Sequence, residues 1–152
     1  MTGSGRKSAA LGLTLLARGE QRYPESPDQA KLEVFRNAHP GRDYTIVLDC
    51  PEFTSRCPVT SQPDFGRITI EYVPGRWCIE SKSLKLYLYS FRNHGTFQEA
   101  AVNRILDDLV RICRPRRMRV HGDFAARGGI SIAVTAVYPA PSRASSRRSA
   151  RR

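Results

Sequence analysis

What this chain lacks narrows its possibilities first. The apolar stretch Leu11–Ala17 is only a few residues long, where a membrane-spanning helix needs about 20, and no signal peptide is evident. Histidine is scarce: His39, His94 and His121 are scattered, and the four cysteines (Cys50, Cys57, Cys78, Cys113) show neither a Cys-x2-Cys spacing nor close pairing. A zinc site is therefore not expected, and reduced thiols in the cytoplasm are. No Gly-x-Gly-x-x-Gly follows a strand-like run, which excludes dinucleotide binding in Rossmann fashion. Acidic residues are also short, 14 against 25 basic ones, for a formal charge of +11. Five of the arginines lie in the last ten residues, so the others carry +6. From Ser142 onward no apolar side chain is larger than alanine. Residues 141–152 read as a disordered Arg/Ser-rich tail, solvated or touching RNA nonspecifically.

At 152 residues, the chain fits one domain, expected over residues 23–140 after a flexible N-terminal segment, residues 1–22. Tyr44, Ile46 and Leu48 alternate with polar or outward positions until Pro51 stops the run, and Ile68, Ile70 and Tyr72 alternate in the next strand. Trp77–Ile79 reads as a return or extension of that strand. Leu84, Leu88 and Phe91 then recur at helical spacing. Thr96-Phe97-Gln98-Glu99 has the pattern of a capping box opening a long helix with the stripe Phe97, Ala101, Ile105, Leu109, Ile112, ended by Arg114-Pro115. Two further alternating runs, Met118–Phe124 and Ile130–Tyr138, meet at a Gly128-Gly129 turn. The expected class is α+β: a four-stranded antiparallel sheet with two helices on one face. Such a sheet has two open edges, a physical reason to oligomerise.

Chemistry concentrates in two segments. In Glu80-Ser81-Lys82-Ser83-Leu84-Lys85-Leu86-Tyr87, a carboxylate, two hydroxyls and two ammonium groups meet the first turn of a helix, whose free N–H groups suit an anion such as phosphate. In Cys50-Pro51-Glu52-Phe53-Thr54-Ser55-Arg56-Cys57-Pro58-Val59-Thr60-Ser61-Gln62-Pro63-Asp64-Phe65, an ordered, proline-stiffened loop sets the Cys57 thiol near a carboxylate, Asp64. Taken alone, Cys57 reads first as a small buried filler.

Together these segments resemble the 7-cyano-7-deazaguanine reductases, NADPH-dependent nitrile reductases of queuosine biosynthesis, in their short single-module form. The resemblance extends to Ser90-Phe91-Arg92-Asn93-His94-Gly95 and to Arg127-Gly128-Gly129-Ile130-Ser131, and spans roughly residues 11–138. It implies the tunnelling fold (T-fold), with subunits closing their sheets into a barrel and assembling as a homo-oligomer, a decamer of stacked rings. It also implies catalysis by Cys57 as nucleophile, through a covalent thioimide, and by Asp64 as proton carrier in an apolar pocket. Substrate contacts would come from Ile79, Glu80, Ser81, Gln98 and Glu99, and NADPH contacts from Ser81, Lys82, Arg127 and Gly128. Lys85, three residues after Lys82, is expected at the extra phosphate of NADPH. No metal is implied.

Two features qualify the transfer. The family usually has histidine where this chain has Gln98, which cannot become cationic or shuttle a proton at neutral pH, so imidazole chemistry there would fall to His94 or be absent. Glu99 reads equally as a capping-box carboxylate, whereas Glu80, at an apolar strand end, has little structural reason to be acidic. Glu80 is therefore the stronger candidate for binding the guanine-like edge of the substrate. Two other functions compete: a zinc-dependent pterin or purine enzyme of the same fold, poorly served by three scattered histidines, and a nonenzymatic RNA-binding module, suggested by the high pI.

Overall fold

This computed structural model describes residues 22–141 together with Gly12. Apart from Gly12, residues 1–21, and with them the rest of the Leu11–Ala17 stretch, lie outside the described residues, as does the arginine-rich tail from residue 142 onward. Six strands and two helices follow in order: β1 (Val34–Arg36), β2 (Ile46–Arg56), β3 (Pro63–Val73), β4 (Trp77–Ile79), α1 (Ser81–Tyr89), α2 (Gln98–Cys113), β5 (Arg117–Arg127) and β6 (Ile130–Tyr138). The main sheet runs β2-β3-β5-β6, antiparallel throughout.

Alternation decides which face of this sheet is covered. Ile68, Ile70 and Tyr72 of β3 and Met118, Val120 and Phe124 of β5 are buried, while Arg67, Glu71, Arg119 and Asp123 between them are exposed. Residues two apart share a face, so one face takes both helices and the other stays exposed, mixing charged residues with Val47, Phe65 and Val137. Helix α2 supplies Ala101, Ile105 and Leu109 at helical spacing, all fully buried. A Cβ at Gly122 would come within 2.7 Å of Val102 Cγ2. That glycine lets α2 lie close on β5 at Val102. Gly128 and Gly129 both have positive φ, 58° and 80°, the conformation a tight hairpin turn requires and glycine supplies without strain.

Several sequence expectations need correction. β2 does not stop at Pro51 but continues to Arg56, with a register shift between Cys50 and Phe53. β2 is an edge strand, where a missing N–H is tolerated and a bulge absorbs the irregularity. The connection holding Cys57 is correspondingly short, residues 57–62. Trp77–Ile79 does not extend β3; it pairs with Val34–Arg36 in a separate two-stranded sheet. Phe97 is 58% exposed and stands outside the α2 stripe as its N-cap residue.

Candidate active site

The Cys57 turn is built by its own backbone. Cys57 N–H donates to Gln62 O (2.9 Å) and Ser61 N–H to Cys57 O (3.0 Å), with Ser61 left-handed at φ 58°. The turn is tied to the α1–α2 connection: Arg56 N–H donates to His94 O (3.1 Å) and Thr96 N–H to Arg56 O (2.9 Å), a parallel bridge between Arg56 and Gly95. A Cβ at Gly95 would lie 3.3 Å from Pro58 Cα, so a side chain there would crowd the turn. This bridge brings the start of α2 beside Cys57.

The result is a cavity of about 140 Å³ lined by Cys57, Asp64, Gln98, Glu99 and Arg127, together with Pro58, Thr96, Phe97 and Ile132. Residues separated by 70 positions of sequence converge there from one chain. Hydrogen bonds from the Thr60 hydroxyl, then from the backbone N–H groups of Thr60 and Val59, pull the Cys57 thiol down to about 7, with Arg127 adding a smaller pull against partial burial. Donors aimed at sulfur stabilise the thiolate, which is the nucleophilic form. The other cysteines differ: burial pushes Cys113 up to about 12, and burial followed by the Asp49 charge raises Cys50.

Asp64 is buried, as expected, but its surroundings are not simply apolar. Arg127 Nε lies 2.9 Å from Asp64 Oδ1, and Arg127 Nη1 donates to Gln62 Oε1 (3.2 Å). The arginine assigned to cofactor thus holds the carboxylate assigned to proton transfer. Gln98 is buried at the cavity wall. His94, one of the two alternatives left open at Gln98, packs edge-on against Phe91 and is not among the cavity-lining residues.

Glu80 and Glu99 stand in opposite surroundings. Glu80 is the N-cap of α1: its Oε1 accepts from Lys82 N–H (2.8 Å) and its Oε2 from Ser83 N–H (2.7 Å). Its backbone N–H donates to Glu33 O (2.9 Å), and Ser83 Oγ donates to Glu80 O (2.8 Å). The carboxylate therefore has structural work, and the helix N–H groups expected to meet a phosphate already meet this anion. No capping box forms at α2: Phe97 caps it without a side-chain bond, and Thr96 Oγ1 donates to Phe97 O (3.2 Å). Glu99 is exposed, and its carboxylate has no partner among the described residues.

The remaining assigned residues lie apart from Cys57. Ser81 and Lys85 line a groove of about 450 Å³ between α1 and the edge strand β2; Lys82 is half-buried in the same first turn, and Ile79 belongs to the core. Gly128, at the exposed hairpin tip, is not among the residues lining the Cys57 cavity. Among the described residues, no three His, Cys, Asp or Glu side chains gather as a metal-holding group, and no helix is long and apolar enough to cross a membrane.

Comparisons with known proteins agree on one family. Its profile, described as QueF-like protein, matches residues 63–143. A protein of Anaeromyxobacter sp. (strain K), named NADPH-dependent 7-cyano-7-deazaguanine reductase, is 57% identical over 113 residues, covering 74% of this chain and 92% of its own length. This chain belongs to the QueF-like family. Proteins of the same name from Neisseria meningitidis serogroup C and Bacillus cereus (strain AH187) are each 50% identical, covering 84% and 85% of this chain and 81% and 78% of their own lengths. The crystal structure of the archaeosine synthase QueF-Like in the apo form superposes with a TM-score of 0.60 at 18% identity, over 64% of this chain and 95% of that one. That likeness shows the fold alone, an α+β subunit.

The residues missed by sequence reasoning are those that tune the thiol. Thr60 lies three positions after Cys57, a spacing at which a turn returns a hydroxyl to the residue that opens it, so this one was accessible in principle.

Proposed function

We propose that this protein reduces the nitrile of 7-cyano-7-deazaguanine to the primary amine 7-aminomethyl-7-deazaguanine, with NADPH as reductant, in the cytoplasmic step that serves queuosine formation in tRNA. One observation carries the reading: a thiol drawn down to about 7 shares a cavity with a buried carboxylate, a guanidinium and an unpartnered glutamate. The relatives' names favour it over a zinc enzyme or an RNA-binding module. Residues 23–140 form the catalytic unit in this account, and the tail contributes nothing to the chemistry.

Cys57 Sγ bonds to the nitrile carbon while its proton passes by way of Asp64 to the nitrile nitrogen, giving a thioimide in which no electrons have been lost or gained. NADPH, when bound, supplies hydride to that carbon, twice per turnover. Loss of the C–S bond returns the Cys57 thiolate and leaves an imine, and Asp64 delivers protons to nitrogen as charge develops there. Glu99 accepts N–H groups from the purine-like edge, with Gln98 beside it.

The cofactor's phosphates fit the cations and backbone of two segments, Ser81-Lys82 with Lys85 on α1, and Arg127-Gly128 at the hairpin. Within one chain Ser81 and Lys85 line one cavity and Arg127 another. A second subunit is therefore needed to complete the site, with the open edges β2 and β6 joining between copies to close a barrel. The exposed apolar residues Val47, Val137 and Tyr138 on those edge strands support that closure. The deciding experiment mixes protein with 7-cyano-7-deazaguanine in the absence of NADPH and measures intact mass. A covalent adduct is expected for the wild type and for Cys50→Ala, Cys78→Ala and Cys113→Ala, and none for Cys57→Ala. An adduct on the Cys57→Ala protein would end the assignment.

A further inference from the structure

Ser55 stands on β2 directly opposite Asp64 on β3. Opposed residues of an antiparallel pair present their side chains to the same face, Cβ atoms about 4.5–5.5 Å apart. Here that face is the enclosed one: Ser55 is 0% exposed and Asp64 4%. Among the described residues, Ser55 Oγ is the only buried side-chain nitrogen or oxygen atom without a hydrogen-bond partner. A buried hydroxyl with nothing to bond is unfavourable, and alanine would occupy its place without that cost. Its presence beside the carboxylate assigned to proton transfer therefore asks for a state in which it is used.

The Arg127 geometry indicates which state. Asp64 is held by Arg127 Nε at 2.9 Å, and that guanidinium is 42% exposed, on the strand that leads into the Gly128-Gly129 turn. If Arg127 swings outward to meet an incoming phosphate, its Nε contact with Asp64 is given up. When it turns outward, the buried carboxyl needs another donor, and the strand register has already set one opposite it.

We propose that Ser55 is a positioning residue for Asp64, its hydroxyl holding the carboxyl in aim at the substrate once an anionic ligand has drawn Arg127 away. The inference rests on Asp64 being the proton carrier. Rotation about χ1 from one staggered well to another redirects Oγ without moving the backbone.

The test compares wild type, Ser55→Ala and Ser55→Thr for thermal stability and for NADPH oxidation with 7-cyano-7-deazaguanine. Ser55→Ala is expected to melt at the wild-type temperature or above it, because an orphan polar atom has gone, yet to lose about tenfold or more in kcat with KM little changed. Ser55→Thr, which keeps a hydroxyl, recovers part of that loss. Wild-type kcat in Ser55→Ala overturns the proposal, as does a loss of kcat accompanied by a lower melting temperature. Should the threonine variant not fold, Ser55→Ala is added to Asp64→Asn: a residue acting through Asp64 lowers the residual rate no further, whereas an additional tenfold fall overturns it. Wild-type turnover by Asp64→Asn itself would remove the proton-carrier reading and this inference with it. An inactive Asp64→Asn beside a fully active Ser55→Ala would remove this inference alone.

Discussion

At the start of α1, both carboxylate oxygens of Glu80 are engaged by backbone N–H groups; at the start of α2, Glu99 projects into the Cys57 cavity region without a partner and the helix begins on an uncapped phenylalanine. A helix start favours negative charge and leaves N–H groups to satisfy. α1 answers that demand from within, and its acidic residue is locked into the fold. α2 leaves a carboxylate to spare, at the cavity that also holds the Cys57 thiol. The difference separates a glutamate that holds the structure from one available to a ligand, a distinction that residue type alone does not make.

Removing the acid at the Cys57 end is the severest test of that contrast. Asp64→Asn should fold normally, since the amide keeps the carboxylate's shape, but should reduce the nitrile about 10²–10⁴-fold more slowly, the usual worth of general acid–base catalysis. Steady-state NADPH oxidation measures it. Near-wild-type turnover would mean the cavity holds a thiol and no proton carrier.

That test bears on residues that sequence already named, and the reason is geometric. Cys57 and Asp64 lie on one hairpin, so their proximity follows from local chain direction. The sheet was equally legible, because Ile68-x-Ile70-x-Tyr72 and Met118-x-Val120 state their period plainly. Partners distant in sequence were not. The Glu80 cap is supported by Glu33, about fifty residues earlier, and the Arg127 clamp on Asp64 spans some sixty residues. No periodicity encodes either. β1 and β4 are three residues each, too short to show alternation, and their pairing is a tertiary event.

Substituting the two glutamates separates them directly. Glu99→Ala should lose about 10- to 100-fold in kcat/KM with an unchanged melting temperature, because a charged hydrogen bond to substrate is removed from a residue the fold does not use. Glu80→Ala should lose about 1–2 kcal/mol of stability, the cost of an N-cap, read by denaturant melts. If Glu80→Ala keeps full stability and loses activity, the roles assigned here are reversed.

Mixing lesions then asks whether the two ends serve one site from different subunits. Cys57 and Glu99 line one cavity of one chain, so variants of that pair should not complement each other. Cys57→Ala mixed with Lys82→Ala should do so, after dissociation and reassembly in equal amounts. Random assembly gives about a quarter of the sites neither lesion if each site takes Cys57 from one chain and Lys82 from its neighbour. Absence of recovery in an intact oligomer would place both segments of a site on a single chain.

The smallest effect expected concerns how the thiol is tuned. Alkylation of Cys57 by iodoacetamide, followed by peptide mass against pH, should reach half its limiting rate near pH 7, while Cys113, pushed up to about 12 by burial, stays unmodified in the folded protein. Reactivity follows the thiolate, so a variant that raises the thiol's pKa moves the midpoint to higher pH and slows modification at neutrality. The Thr60 hydroxyl is the largest contributor to the lowering and Arg127 the smallest. Thr60→Val should therefore displace the midpoint further than Arg127→Ala, and both in the same direction. The reverse order would mean that charge, rather than the donors of the turn, activates Cys57, and would make Arg127 a part of the nucleophile's machinery instead of a partner shared between Asp64 and the cofactor.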